Sequence, residues 1–292
     1  MNRLTTQDRV RILNVLSEGV GINAACRATG ASKNTVLRLL ANVGEACAVY
    51  QDRVMRNLSV TQLQVDEIWS FIGCKQKNVP DDADPALGLG DCYTFTSIDP
   101  VSKLMPCWLV GFRTDECADQ FLADLKPRLA NRVQLSTDGF GSYPKAVAKH
   151  FGKDVDYAVI VKQYMPPPTT PEAKRRYSPN KVIGTTVAVV EGAPDLGLAT
   201  TSHVERANLT MRMGMRRFTR LTNAFSKKIE NHAHAIAFHF MVYNFVKPHS
   251  ALSTKQAPVK RTPAMAAGVS SFQWTMEDIL MMAETVTSQA TN

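Results

Sequence analysis

The sequence predicts an α/β protein in which a mixed five-stranded sheet with flanking helices follows a small all-α domain. Apolar residues recur at helical spacing up to residue 41, and β-branched and aromatic segments begin at residue 60. A helical segment precedes each of the last two predicted strands, which should therefore run parallel to their neighbours. The predicted units are a helix-turn-helix domain at 1–45, a helical linker at 46–59, an α/β domain at 60–250 and a tail of unassigned role at 251–292.

Composition indicates a folded, non-membrane protein. Hydrophobic residues make up 45% of the 292 residues, which is ample for a core. The sequence has neither an apolar run of membrane-spanning length nor the pattern of a secretory signal at its charged N-terminus, so we expect a cytosolic protein. The six cysteines form no C-x-x-C pair, which argues against a zinc knuckle or a disulfide framework and for reduced thiols.

The distribution of charge predicts a polyanionic partner. The formal net charge is +8, and residues 200–262 alone hold eleven Lys and Arg against two acids. Residues 1–60 hold eight Lys and Arg against four acids. A solvated surface usually intersperses the two signs, so the concentration at 200–262 favours nucleic acid or another phosphate-rich partner.

The N-terminal segment has the pattern of a helix-turn-helix. Two short helices flank a turn at Gly30, and Ser32 is placed to cap the second of them. Polar and basic residues on the exposed first turns of that helix are the expected DNA contacts: Lys33, Asn34, Thr35 and Arg38.

Five strands are predicted in the α/β domain, at 60–72, 92–98, 104–111, 132–137 and 155–162. Predicted helices begin at Thr114, at about residue 143, near Ser202 and at about residue 226. A proline-rich loop after the fifth strand carries Lys174, Arg175 and Arg176, and an apolar run, KVIGTTVAVVE, follows it. Long loops of this kind are often functional.

Three carboxylates stand out by their context. Asp66 lies inside a strand that is otherwise apolar or uncharged apart from Glu67 beside it, and an unpaired ionised carboxylate is costly there. Asp138 follows the fourth strand, and Gly139 beside it leaves the backbone room for a ligand. Glu205 is an isolated acid at the start of an arginine-rich helix. Oxygen ligands of this kind suit Mg²⁺ or Mn²⁺, and paired ions of this class catalyse phosphodiester cleavage.

Arginines follow Glu205 along the same segment. Arg212 lies seven residues after Glu205, so the two share a helix face, and Arg212 is expected to reach a phosphate held at the metal site. Further basic residues that are expected to contact DNA are Arg206, Arg216, Arg217 and Arg220.

Two acids and a group of histidines compete for the site. Glu67 is a rival to Asp66, because neighbours in a strand point to opposite faces and the sequence alone does not say which faces the site. Asp99 precedes a proline between two strands, which is a strong turn signal. The histidines lack the spacing of helical zinc sites and are interpreted as core or surface residues.

Three segments resemble the DDE transposases of bacterial insertion sequences, most of all the insertion-sequence-one type. They are VDEIWSFIG, STDGFGSY and SHVERANLTMRMGMRRFTRLTNAFSKKIENH, and the resemblance covers roughly residues 60–268. It implies a ribonuclease-H-like catalytic domain, metal-ligand roles for Asp66, Asp138 and Glu205, and an accessory role for Arg212. It also favours Asp66 over Glu67.

The resemblance further implies the cofactor and the partners. Two Mg²⁺ ions, replaceable by Mn²⁺, would serve the site, and double-stranded DNA would supply both the element ends and the target. We expect a dimer or larger homo-oligomer on DNA. Two other functions are weighed: a non-catalytic, transposase-derived regulator, against which the presence of all three acids counts, and a ribonuclease-H-like nuclease that cuts without joining.

Overall fold

A computed structural model of the chain describes residues 4–166, 182–219, 222–253 and 259–290. The predicted α/β class is confirmed: a mixed sheet with helices follows N-terminal helices. The strands are β1 Gln62–Ile72, β2 Gly90–Ile98, β3 Trp108–Gly111, β4 Val133–Thr137, β5 Val155–Tyr164 and β6 Val182–Glu191. The helices are α1 Thr6–Ser17, α2 Ile22–Thr29, α3 Lys33–Val54, α4 Asp115–Leu125, α5 Ser142–His150, α6 Ser202–Gly214, α7 Ile229–Met241, α8 Pro263–Ala266 and α9 Met276–Ala290.

The sheet has six strands in the order β3-β2-β1-β4-β5-β6. The pairs β1–β4 and β4–β5 are parallel, as predicted for strands reached through helices, and the other pairs are antiparallel. The expected count of five strands is wrong, because Val182–Glu191, within the apolar run that follows the proline-rich loop, forms β6. This run has no alternation of apolar and polar residues, so its pairing with β5, and not its own pattern, makes it an edge strand.

The N-terminal helices pack onto the α/β domain. The Ser32 side chain accepts a hydrogen bond from Thr35 N at 3.3 Å, so the predicted cap is present. Helix α3 then continues to Val54, through much of the segment expected to be a linker. A Cβ at Gly44 would lie 2.3 Å from the His234 carbonyl oxygen, because α3 and α7 approach each other closely there.

The C-terminal tail completes the same core. Ile279 and Leu280 of α9 are buried, and α9 lies against α3. Trp274, just before α9, packs on Tyr50 with ring centroids 5.0 Å apart. The tail at 251–292, for which sequence periodicity assigns no role, therefore covers apolar surface of α3.

All six cysteines are free, in agreement with the expected reduced thiols. Among the residues that the structure describes, no helix has the length and apolar character needed to cross a membrane.

Candidate metal centre

Three carboxylates meet where β4 ends. Val65 and Thr137 form the last pair between the parallel strands β1 and β4, so Asp66 and Asp138 are the next residue on each side. Asp66, Glu67 and Asp138 each offer one oxygen atom, and these atoms all lie within 4.8 Å of one another. We call this group the acidic pocket.

Asp66 is fixed from the side of helix α6. Asn208 of α6 donates a hydrogen bond from Nδ2 to Asp66 Oδ2 at 2.9 Å. The Thr96 hydroxyl of β2 lies 3.2 Å from Asn208 Oδ1 and 3.1 Å from the Asp66 carbonyl oxygen. Asn208 is itself buried, so its rotamer is held and the Asp66 carboxylate is oriented by its neighbours.

Gln64 anchors the start of the same helix. Its side-chain Oε1 accepts hydrogen bonds from His203 N at 2.8 Å and Val204 N at 3.1 Å. These are amide groups of the first turn of α6, which have no partner inside the helix. Gln64 and Asp66 are two residues apart on one face of β1, so one strand both caps α6 and presents Asp66 to it.

Glu67 is held on the opposite side of β1. Its Oε1 is paired with Arg113 Nε, and its Oε2 accepts a hydrogen bond from the Tyr143 hydroxyl at 2.8 Å. The Glu67 side chain is only 4% exposed, and Tyr143 is fully buried. Both oxygens of this carboxylate are therefore already bound by side chains of the protein.

Asp138 lies at the open side of the pocket. Its Oδ1 accepts a hydrogen bond from Phe140 N at 3.0 Å, and Arg113 Nη2 lies 3.8 Å from its Oδ2. The side chain is 34% exposed. Arg113, which stacks over the Phe140 ring, is thus a counter-charge to both Glu67 and Asp138.

Glu205 stands beside the acidic pocket and outside its compact group. On the first turn of α6, its Oε1 pairs with Lys162 of β5 and accepts a hydrogen bond from the Thr201 hydroxyl at 2.6 Å. It is still close enough to raise the pKa values of Asp66 and Asp138. The expected trio of Asp66, Asp138 and Glu205 is therefore gathered in one region, with Glu67 added to it.

The electrostatics of the pocket disfavour three ionised carboxylates. Burial, followed by the charges of Glu67 and Asp138, raises the pKa of Asp66 to about 7. Burial also raises the pKa of Glu67 and of Asp138, and the Arg113 guanidinium offsets part of each rise. Like charges held this close repel, so the group favours a proton or a cation.

The donor set fits a hard divalent cation. It consists of carboxylate oxygens alone, which suits Mg²⁺ or Mn²⁺ better than zinc. Within the described part of the chain, no side chain donates a hydrogen bond to the second oxygen of Asp66 or of Asp138. The Asp138 oxygen faces the Arg113 guanidinium at 3.8 Å, beyond hydrogen-bonding distance, so both oxygens can be offered to a metal ion.

The expected arginines occupy different environments. Arg206 and Arg216 are exposed. Arg212, on the last turn of α6, is half-buried, and its Nε has no hydrogen-bond partner among the described residues. Arg217 instead donates hydrogen bonds from Nη1 to Ser226 Oγ at 2.7 Å and to the Asn231 carbonyl oxygen at 3.1 Å. The Arg217 side chain is therefore bound inside the protein.

The remaining expected cations lie outside the described residues: Arg220, and Lys174, Arg175 and Arg176 of the proline-rich loop.

The helix-turn-helix residues also divide by exposure. Lys33, Asn34 and Arg38 are exposed on α3, whereas the Thr35 hydroxyl lies 2.8 Å from Ser32 Oγ in the cap of that helix. The first three keep the exposure that a contact with DNA requires, and Thr35 supports the start of the helix.

The competing residues have structural roles. Asp99 accepts hydrogen bonds from Val101 N at 3.0 Å and Ser102 N at 2.9 Å, which confirms the predicted turn. His232 is buried between Ser70 Oγ at 3.1 Å and Ser226 Oγ at 2.9 Å, as a core histidine would be.

Sequence reasoning missed the residues that orient the carboxylates. Asn208 lies three positions after Glu205 on one helix face, and Gln64 lies two positions before Asp66, so each has a spacing that places it near a chosen acid. The remaining partners come from elements distant in sequence: Arg113, Tyr143 and Lys162. No local pattern connects them to the pocket.

No protein-family model matches this chain, and a comparison with curated proteins finds no match. The likeness to insertion-sequence transposases therefore depends on the three sequence segments alone.

Proposed function

We propose that this protein is a DDE-type DNA transposase with a ribonuclease-H-like catalytic domain. It cleaves a phosphodiester at the end of a mobile element and joins the freed 3′ hydroxyl to target DNA. The observation that carries the proposal is the crowding of Asp66, Glu67 and Asp138 within 4.8 Å, at the end of β4 beside Glu205. Partly buried carboxylates this close to one another repel, so the group favours a proton or a bound cation.

Asp66 and Asp138 are the best candidates to hold Mg²⁺ or Mn²⁺. Each uses one oxygen for a hydrogen bond, from Asn208 and from Phe140 N respectively. Among the described residues the other oxygen has no side-chain hydrogen-bond donor, and that of Asp138 faces the Arg113 guanidinium at 3.8 Å. When bound, such a cation supplies a Lewis acid that stabilises the charge developing on the phosphate and lowers the pKa of an attacking water.

Glu205 and Glu67 differ in how easily they could join the site. Glu205 is 42% exposed and must exchange Lys162, which is 25% exposed, for the cation, and such a partly exposed pair is weaker than a buried one. Glu67 would have to leave both Arg113 and a buried Tyr143. We therefore assign the third ligand to Glu205, and to Glu67 the task of holding Arg113 beside Asp138.

The arginines next to the site would bind the DNA. Arg206 is exposed on α6, whereas Arg212 is half-buried with a buried Nε, so its guanidinium would have to turn outward to bind a phosphate. Residues 1–45 would recognise the terminal repeats through Lys33, Asn34 and Arg38, which are exposed on α3. A homo-oligomer would then bring two element ends together.

The test uses a plasmid that carries the coding sequence with its native flanking DNA. In Mn²⁺, the native protein should nick this plasmid at the element ends, and Asp138→Ala should abolish nicking while keeping DNA binding in a gel-shift assay. Asp82→Ala is the matched control, because Asp82 is an exposed acid outside the pocket. Unchanged nicking by Asp138→Ala would refute the assignment.

A second measurement separates a transposase from a nuclease. A duplex that ends in a pre-cut 3′ hydroxyl is supplied with a supercoiled target. Joined products are expected, and their absence despite active nicking would indicate a nuclease that cuts without joining.

A further inference from the structure

A groove separates the N-terminal helices from the region after α6. It has a volume of about 990 Å³ and runs between α2 and the start of α3 on one side and residues 214–217 and 222–231 on the other. Five of its lining side chains are cations that form no ion pair within the described residues: Arg27, Lys33, Arg216, Lys227 and Lys228. We call this surface the basic groove.

The charge of the groove has one sign. No Asp or Glu is among the described residues that line it. Two further cations border it with partners of their own, since Lys247 pairs with Glu18 at 3.1 Å and Arg217 is bound to Ser226. Like charges gathered without partners create a local positive potential that attracts an extended anion.

Backbone groups add to this potential. Helices α2 and α7 both begin at the groove, and their caps, Gly21 and Lys228, provide no side-chain hydrogen bond. Their first-turn amides are therefore unsatisfied by capping side chains, and each helix presents the positive end of its dipole. Backbone amides at helix starts are common phosphate ligands in proteins.

The width of the groove is maintained by backbone packing at its end. Gly19 has a φ of +77°, and a Cβ there would lie 2.6 Å from the Gly214 carbonyl oxygen. The turn after α1 thus lies directly against the end of α6. The two walls are therefore held in a fixed relation where α1 and α6 end.

Size restricts what can enter. A volume of about 990 Å³ is at the upper end of ordinary ligand sites, about 300–1,000 Å³. A whole DNA duplex is too thick for such a groove, whereas the sugar-phosphate backbone of one strand has the right charge and shape.

We propose that the basic groove binds the phosphodiester backbone of one DNA strand next to the strand segment that enters the acidic pocket. This inference rests on the proposed function. Helix α6 joins the two regions, with Glu205 on its first turn and Gly214 at the groove. Nine residues of helix span about 14 Å, which corresponds to about four nucleotides of a duplex strand.

The experiment measures DNA affinity in EDTA, so that the chemistry of the acidic pocket does not contribute. A fluorescein-labelled strand of mixed sequence and its duplex are titrated by fluorescence anisotropy at several salt concentrations. Lys227→Gln with Lys228→Gln should weaken binding about tenfold and lower the salt slope by about 1.8 on the duplex, or about 1.4 on the single strand.

The control removes the same charge elsewhere. Lys149 and Lys153 are exposed at the opposite end of the sheet, where α5 leads into β5, and Lys149→Gln with Lys153→Gln should leave affinity nearly unchanged. Lys227→Arg with Lys228→Arg keeps the charge and should retain affinity. Equal thermal midpoints for all variants exclude a loss of folding.

The two DNA probes identify the source of the phosphates. A loss confined to the single strand means that the groove takes a separated strand, and a loss that includes the duplex means that it grips one edge of a duplex. No loss on either probe, or an equal loss in the control, overturns the inference. Absent cleavage in Mn²⁺ together with intact groove-dependent binding would instead refute the proposed function alone.

Discussion

The acidic pocket and the basic groove lie at opposite ends of α6 and differ in how far their charged side chains are bound by other residues. The carboxylates of Glu67 and Asp66 are bound by Arg113, Tyr143 and Asn208, and the pocket as a whole is half-buried. In the groove, Lys227 and Lys228 and their companions are largely exposed and have no ion partner in the described residues. The carboxylates of the pocket are therefore held in fixed positions, whereas the cations of the groove produce a positive electrostatic potential that is spread over its surface.

This difference determines what each region can bind. Burial and crowding raise the pKa of Asp66, so the pocket suits a proton or a small cation that restores its ionised form. The groove is solvated, and water screens its lysines from one another. It therefore suits a long polyanion that contacts several cations weakly, and such binding should depend steeply on salt.

The largest expected effect separates Asp66 from Glu67 within the pocket. Asp66→Asn should reduce Mn²⁺-dependent nicking by about 10³-fold, because a lost metal ligand forfeits several kcal/mol of transition-state stabilisation. Glu67→Gln should reduce it by about tenfold or less, since its role is to hold Arg113. Nicking rates on the plasmid decide this, and a reversed order of the two variants would make Glu67 the ligand.

Arg216 and Arg217, which are adjacent at the groove, are expected to have different roles, one in DNA binding and the other in stability. Arg217→Ala should lower the free energy of unfolding by about 3 kcal/mol, because it removes two hydrogen bonds from a charged donor to Ser226 and Asn231. Arg216→Ala should change stability by less than about 0.5 kcal/mol while weakening DNA binding. Urea denaturation and anisotropy together check both. Equal stability of the two variants would contradict the internal role of Arg217.

The next effect concerns how α3, which carries Lys33, is held against α7. Gly44→Ala should destabilise the protein by about 1–3 kcal/mol, since the new Cβ would meet the His234 carbonyl at 2.3 Å. This exceeds the gain of about 0.5–1 kcal/mol from alanine in a helix. Gly141→Ala is the control, because no atom lies within 4 Å of its Cβ position. A neutral Gly44→Ala in urea denaturation would mean that α3 and α7 lie further apart.

A further expected effect is a pH dependence of stability in EDTA. The folded pKa of Asp66, about 7, lies above its ordinary value of 3.8, so the folded state binds more protons between these values. Stability should therefore fall as pH rises from about 4 to 7, and Asp66→Asn should remove that fall. His232 and His239, whose folded pKa values lie near 3 and 4, act in the opposite direction below about pH 6.5. The difference between native and Asp66→Asn unfolding curves isolates Asp66, and parallel curves would refute the shift.

Local patterns in the sequence determined much of the molecule. The Ser32 cap, the turn at Asp99, the parallel strands β4 and β5 and helix α6 follow from spacing and residue type within short segments. The candidate acids Asp66 and Asp138 could also be chosen in this way, because one lies in a strand whose only other charged residue is Glu67 and the other lies at a strand end. Such features depend on contacts between residues that are close together in the sequence, so they can be predicted from the sequence alone.

Tertiary structure alone decided the features that depend on distant contacts. Edge strand β6 exists through pairing with β5, and the tail helix α9 is placed by apolar surface on α3. Glu67 joins Asp66 in one pocket because β1 extends past the end of β4, where side chains from both faces of a strand can approach Asp138. Arg113 reaches the acidic pocket from a segment distant in sequence. The five cations of the basic groove, which have no ion pair among the described residues, likewise come from separate segments of the chain. Only folding brings such groups within range of one another, so charge and hydrogen bonding at these two regions could not be read from the order of residues.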